Sequence, residues 1–246
     1  MEALVLGGGR QDPLARAYGV SSKALVPIAG RPMVSWVVSA LRSGGVERVV
    51  YVGPEARFDP RPDLWVPDTG ALLRNVAVGL EALGARGPVL VATADIPLLT
   101  GEAVRELLEK APPAALVYPI VPKEAVEARF PGMKRTYARL REGTFTGGNL
   151  VVLDPELFKR ALPMAEKVVA RRKNPLALAA LFGPWTILKL LLGRLSVAEL
   201  EARGEKVLGV PVRALPLARP EIGVDVDKLE DVAFVERELK GGKRVA

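Results

Sequence analysis

Short runs of consecutive apolar residues alternate along this chain with segments whose apolar positions recur every three to four residues. That pattern predicts buried strands alternating with amphipathic helices. Ala3-Leu4-Val5-Leu6 reads as a first strand that ends at Gly7-Gly8-Gly9, and a long loop follows to about Val26. Pro32 suits the first position of a helix whose stripe is Val34, Val37, Val38 and Leu41, and Gly44-Gly45 ends it. Further strands are predicted over 48–52, 64–66, 89–93, 115–119 and 149–153, with helices over 72–83 and 101–110. Asp154-Pro155 caps another helix, 207–217 suggests a strand, and 228–240 reads as an amphipathic closing helix. This alternation favours an α/β fold in one domain over 1–246, with a mostly parallel sheet covered by helices on both faces.

Two stretches depart from the pattern. Residues 121–148 are charged, with Lys123, Arg129, Lys134, Arg135, Arg139 and Arg141, and are expected as a long functional loop. Residues 163–205 form a helical insert, broken at Gly183-Pro184 and Gly193 and very apolar over 176–195. A membrane span needs ~20 apolar residues, and the Gly-Pro break and Lys189 argue against one. The expectation is helices packed on the core or against a second copy of the chain as a homodimer. A lid over a greasy ligand, or a helix on a membrane surface beside Arg171-Arg172-Lys173, is the less favoured reading.

Composition narrows the chemistry. The 246 residues include neither Cys nor His, which excludes thiolate nucleophiles, Ser-His-Asp triads, histidine bases and the usual zinc sites. Any metal must sit on oxygen ligands, which favours Mg²⁺ or Mn²⁺. The remaining groups suit reactions run by positioning and charge neutralisation, such as nucleotidyl transfer. Lys and Arg number 35 against 28 Asp and Glu, a net charge of +7 that attracts a small polyanion. No basic stripe with interleaved aromatics accompanies it, so no nucleic-acid partner is expected. Gln11 is the sole Gln and Asn75, Asn149 and Asn174 the only Asn, a depletion that suggests a thermophile. Met1-Glu2 leads straight into a strand without a basic leader, so a cytoplasmic protein is expected.

The glycine triplet after the first strand lets backbone approach a phosphate closely, and Arg10 and Lys23 add positive charge. Taken alone, it serves a tight turn equally well. A P-loop fails because Ala24 follows Lys23 and no glycine directly precedes it. A dinucleotide fingerprint lacks its last glycine at Asp12.

Leu6-Gly7-Gly8-Gly9-Arg10, Lys23-Ala24-Leu25-Val26-Pro27 and Gly30-Arg31-Pro32-Met33 together resemble the signature of the MobA-like nucleotidyltransferase superfamily. Thr93-Ala94-Asp95-Ile96-Pro97 and Gly223-Val224-Asp225-Val226-Asp227 extend the resemblance, which covers roughly 1–155 and 220–240. It implies a Rossmann-like sheet, Mg²⁺ (or Mn²⁺), and transfer of NMP from an NTP to a phosphorylated small molecule with release of pyrophosphate. Leu6, Gly7, Gly8 and Gly9 would then cradle the NTP, with Lys23 and Arg10 on its phosphates. Asp68, Gly70 and Asn75 sit where relatives read the base. Gly70-Ala71-Leu72 stands where guanine-specific members show Gly-Pro-Leu, which leaves the base open. Thr146-Gly147-Gly148-Asn149 resembles the acceptor loop, so Gly147, Gly148 and Asn149 are acceptor candidates, and 121–148 becomes an acceptor-side loop.

For Asp95, a turn before Pro97 is the bland reading; a carboxylate at the carboxyl end of a central strand, and the resemblance, point to metal. Asp225 is the second metal candidate. Asp227 is expected to face the opposite side of its extended segment and to cap the last helix. Two other classes keep parts of this pattern. A non-catalytic nucleotide-binding regulator would not need both Asp95 and Asp225. A nucleotide-sugar-dependent glycosyltransferase would show Asp-x-Asp after a central strand, and Thr93-Ala94-Asp95 lacks the first Asp.

Overall fold

The computed structural model describes residues 1–9, 12–171 and 174–241. Arg10, assigned above to the triphosphate, lies outside the described residues. The chain runs β1 (Glu2–Leu6), a short helix α1 (Pro13–Ala17), a small hairpin of β2 (Pro27–Ile28) and β3 (Arg31–Pro32), α2 (Met33–Ser43), β4 (Arg48–Gly53), β5 (Leu64–Pro67), α3 (Leu72–Leu83), β6 (Val89–Thr93), α4 (Gly101–Lys110) and β7 (Leu116–Pro122). It continues through α5 (Lys123–Arg129), β8 (Ala138–Leu140), β9 (Gly143–Gly147), β10 (Leu150–Leu153), α6 (Pro155–Arg171), α7 (Pro175–Phe182), α8 (Pro184–Leu191), α9 (Val197–Leu208), β11 (Val212–Pro216) and α10 (Leu229–Gly241).

One sheet orders these strands β5-β4-β1-β6-β10-β7-β9-β8, with β11 beside β7. β5, β4, β1 and β6 are mutually parallel; β10 runs antiparallel to both β6 and β7. Alternate side chains of the central strands point to opposite faces, and each face meets its own helices. Ala3, Val5, Val49, Tyr51, Leu90 and Ala92 join the core built with α2 and α4. Leu4, Val50, Val52, Val89 and Val91 join the core built with α3 and the start of α6. Because both faces are covered, these strands are apolar throughout rather than alternating with polar residues. Each fully buried Val or Leu contributes ~1.5–3 kcal/mol.

The register fixes where the site can form. Leu6 lies opposite Thr93 in the β1/β6 pair, so Gly7 and Ala94-Asp95 leave the sheet side by side at the same edge. Ala94 N–H donates to Leu6 C=O at 3.0 Å and holds the two exits together. Chain order reverses around β1, the arrangement in which open α/β sheets bind ligands at the carboxyl ends of their strands.

Three expectations change. The stretch 121–148 is largely regular: it holds the end of β7, all of α5, and the hairpin β8–β9 that extends the sheet. Lys123, Arg129 and Arg139 sit on these regular elements, whereas Lys134 and Arg135 lie in the irregular stretch 131–137 between α5 and β8. The predicted strand over 207–217 shortens to β11, because a capping box from Ser196 and Glu199 starts α9 and Gly209, in the left-handed region, ends it. The loop to Val26 includes α1, whose first amides donate to the Asp12 carboxylate. In the insert, α6 runs through Pro163 to Arg171, and α8 leaves Trp185 and Leu191 more than 70% exposed.

Candidate active site

The site grows from the two strand exits. Gly7 spends its N–H on Val52 C=O at 2.8 Å, so it continues the sheet ladder rather than offering a donor outward. A Cβ at Gly7 would lie 2.3 Å from the Tyr51 ring, and one at Gly8 would lie 2.5 Å from Asp68 Oδ1 and 2.7 Å from Asn75 Nδ2. Gly9 has φ +125°, which a side chain strains to adopt. Close packing therefore accounts for the first two glycines and backbone conformation for the third. Gly9 N–H donates to Asp68 Oδ2 at 3.3 Å. Asp68 Oδ1 accepts from Gly70 N–H at 2.9 Å and from Asn75 Nδ2 at 2.8 Å, while Asn75 Oδ1 accepts from Thr69 N–H at 2.8 Å. Asn75, on the first turns of α3, is buried and fixes this loop against the glycine turn.

Ser22 links the glycine turn to Lys23. Its hydroxyl donates to Gly7 C=O at 2.5 Å and accepts from Ala24 N–H at 3.2 Å, capping the single 3-10 turn Lys23–Leu25. Lys23 Nζ lies 2.6 Å from Asp95 Oδ2 and 2.5 Å from Asp227 Oδ1. Asp225 reaches the same place from the segment that Val226 N–H anchors to Asp95 C=O at 2.9 Å. Asp95, Asp225 and Asp227 each offer a carboxylate oxygen within 4.8 Å of the others. The guanidinium of Arg135 contacts Asp225 Oδ1, but no N–H is aligned on that oxygen.

Electrostatics follow from this crowding. Burial works against the charge on Lys23, but Asp95 and Asp227 outweigh it and hold the ammonium well above its ordinary value. Burial pushes the Asp225 carboxyl up, Asp95 and Asp227 add to that, and Arg135 opposes them. Asp95 Oδ1 is buried and has no hydrogen-bond partner among the described residues. Three converging carboxylates with an orphaned buried oxygen are the donor set a hard divalent cation takes.

One cavity opens at the cluster itself and another beside the glycine turn. One of about 410 Å³ lies against Gly9, Ser21, Ser22, Trp65 and Asp68. The other, about 640 Å³, lies against Arg135, Asp225, Asp227, Lys228 and Arg237.

The profile of the MobA-like NTP transferase domain matches residues 3–196. The chain belongs to this family. A protein described as a hypothetical transferase from Thermus thermophilus is 61% identical, with a TM-score of 0.90 over 94% of this chain and all of that one. The bifunctional protein GlmU of Cutibacterium acnes is 34% identical over 117 residues, 43% of this chain and 27% of its own length. A molybdenum cofactor guanylyltransferase of Xanthomonas euvesicatoria is 32% identical over 105 residues, 43% of this chain and 52% of its own. The chain thus spans about a quarter of the GlmU protein and half of the guanylyltransferase.

Within this family frame, the structure gathers Lys23, Asp95 and Asp225 as expected and corrects Asp227. Residues two apart in an extended segment share a face, so Asp225 and Asp227 look the same way. The last helix is instead capped by Asp231, whose carboxylate accepts from Asp227 N–H and Lys228 N–H at 2.9 Å each. Gly147 and Gly148 answer to packing: a Cβ would lie 2.1 Å from the Tyr118 hydroxyl at the first and 2.7 Å from Ile222 at the second. Asn149 donates from its backbone to Ile222 C=O at 2.9 Å and from Nδ2 at 3.3 Å, while its own C=O accepts from Thr93 N–H at 3.0 Å. It ties β6 to the segment that delivers Asp225. Ser22 and Arg135 were not singled out from sequence; a Ser directly before a short helical turn is the capping signal that would have found Ser22.

Proposed function

We propose that this chain is an Mg²⁺-dependent nucleotidyltransferase that moves NMP from an NTP to a phosphorylated small-molecule acceptor and releases pyrophosphate. The observation that carries the reading is the meeting of Lys23 with Asp95, Asp225 and Asp227 beside the carboxyl ends of β1 and β6, with a cavity open at Asp225 and Asp227.

Asp95, Asp225 and Asp227 would hold the divalent cation, Mn²⁺ serving in place of Mg²⁺. When bound, it would neutralise charge on the phosphoryl oxygens. The smaller cavity takes the nucleoside: the Trp65 side stacks and the Asp68–Gly70–Asn75 loop supplies polar contacts to the base and ribose. Gly8 and Gly9 let the triphosphate pass close to backbone. Lys23 turns from the carboxylates to the triphosphate and stabilises the leaving pyrophosphate as its charge grows. The acceptor enters through the larger cavity, beside Lys228 and Arg237, with Thr146, the residue before Gly147–Asn149, on its wall. Its phosphate is already an anion, so attack on the α-phosphorus needs no general base, which agrees with a chain free of His.

Pyrophosphate release from each of the four NTPs, with Mg²⁺ and a panel of phosphorylated acceptors, tests this. Turnover that survives Asp95→Ala would refute the role given to the carboxylates.

A further inference from the structure

Three carboxylates here share two cations. Lys23 takes Asp95 and Asp227; Arg135 takes Asp225. Arg135 differs from a settled structural partner in three respects. Its Nε is buried without a hydrogen-bond partner among the described residues. Its contact with Asp225 lacks an aligned donor. Its backbone lies in a stretch without regular secondary structure, between Gly132 at φ +86° and β8. Buried ion pairs that are kept for structure usually satisfy their remaining donors, and this one does not. Arg135 also faces the 640 Å³ cavity, along with Lys134, Lys228 and Arg237.

We infer that Arg135 is a displaceable counter-ion: it holds Asp225 while the carboxylates are free, and releases it to bind the acceptor's anionic group once a divalent cation has taken them. The inference rests on the metal-site reading above. The charges favour such an exchange. A dication and the Arg135 guanidinium compete for the same carboxylate, and a guanidinium freed from it points its fork into a cavity suited to a phosphate or carboxylate. Metal and acceptor are then linked reciprocally. Filling the metal site raises the affinity for the anion, and the anion raises the affinity for metal by the same factor. Arg135 is thus a residue that binds acceptor only in the metal-loaded protein, which guards against unproductive acceptor binding.

The test titrates Mn²⁺ into the full chain, with free ion read by electron paramagnetic resonance. Arg135→Met should bind Mn²⁺ roughly three- to tenfold more tightly than wild type, because the competing cation is gone. Arg135→Lys, which restores the charge, should return near wild type. In the Mn²⁺-loaded protein, inorganic phosphate measured by calorimetry should bind Arg135→Met about fivefold or more weakly than wild type. A merely structural role predicts weaker binding of both ligands, so the opposite signs are the signature. Unchanged or weaker Mn²⁺ binding in Arg135→Met overturns the inference, as does phosphate binding that is absent from wild type or unaffected by the substitution. If Arg135→Met does not fold, Arg135→Gln is read in the same way. Wild type that binds no Mn²⁺, or Asp225→Asn that binds it as wild type does, overturns the metal reading itself.

Discussion

Lys23 donates to Oδ1 of Asp227 at 2.5 Å across 204 positions of sequence. The contact joins the turn after the first strand to the segment before the last helix, so both ends of the fold must be in place for the site to exist. It also gives Asp227 a function that its position before a helix conceals.

Asp227 and Asp231 should therefore separate cleanly. Asp227→Asn is expected to lower turnover by at least ~10-fold and leave stability within ~0.5 kcal/mol, since its side chain makes no cap. Asp231→Ala is expected to cost ~1 kcal/mol through loss of the cap and to keep most activity. Steady-state kinetics beside urea unfolding reads both; a cap role for Asp227 would reverse the pattern.

Lys23→Met removes the shared partner of two carboxylates. Turnover should fall by ~10²–10³-fold. Stability should fall by ~1–3 kcal/mol, because Asp95 loses its counter-charge in a largely enclosed place, while the exposed Asp227 adds little. A thermal melt with Mg²⁺ should recover part of that loss by supplying a replacement charge. A variant that keeps full turnover contradicts the role given to the lysine.

Tyr51 offers a test of the packing beneath the glycine turn. Its ring fills the space that Gly7 and Gly53 leave open, and its buried hydroxyl has no partner among the described residues. Tyr51→Phe removes an unsatisfied polar group and keeps the ring, so it should stabilise the fold by ~1 kcal/mol. Gly7→Ala should destabilise it, because the new methyl meets the same ring. Chemical denaturation midpoints check the two signs.

On the acid side, Asp63 supplies a pH signature away from the site. Burial opposes its ionisation, but Val49 N–H at 2.6 Å and the Arg42 guanidinium at 2.5 Å prevail and hold the carboxyl below its ordinary 3.8. A lowered folded value means that this contribution is fully present above about pH 3.8 and fades as pH falls through the lower folded value. Asp63→Asn should flatten the stability curve below about pH 4, measured by urea midpoints.

Much of this was legible in the chain. The central strands read as apolar runs because both faces are covered, Gly7 and Asp95 stood just past strand ends where ligands bind, and Lys23 and Asp225 stood in motif segments that resemble the family's. What escaped notice depended on long-range geometry. Arg135 looked like one charge among several in 121–148, and only the fold brings it to Asp225. Strand β10 runs antiparallel within the mostly parallel sheet and carries no local mark of its direction, since direction is set by pairing with β6 and β7. The close neighbours of Gly147 and Gly148, Tyr118 and Ile222, come from β7 and the 3-10 turn Pro220–Ile222, which no local pattern reveals.

The most direct test of the convergence is crystallographic: crystals grown with Mn²⁺ and examined for anomalous scattering. The account predicts one strong peak among the carboxylates of Asp95, Asp225 and Asp227, at ordinary Mn–O distance, with Lys23 and Arg135 turned away. Fully loaded crystals with no peak there, and both cations still on their carboxylates, would contradict it.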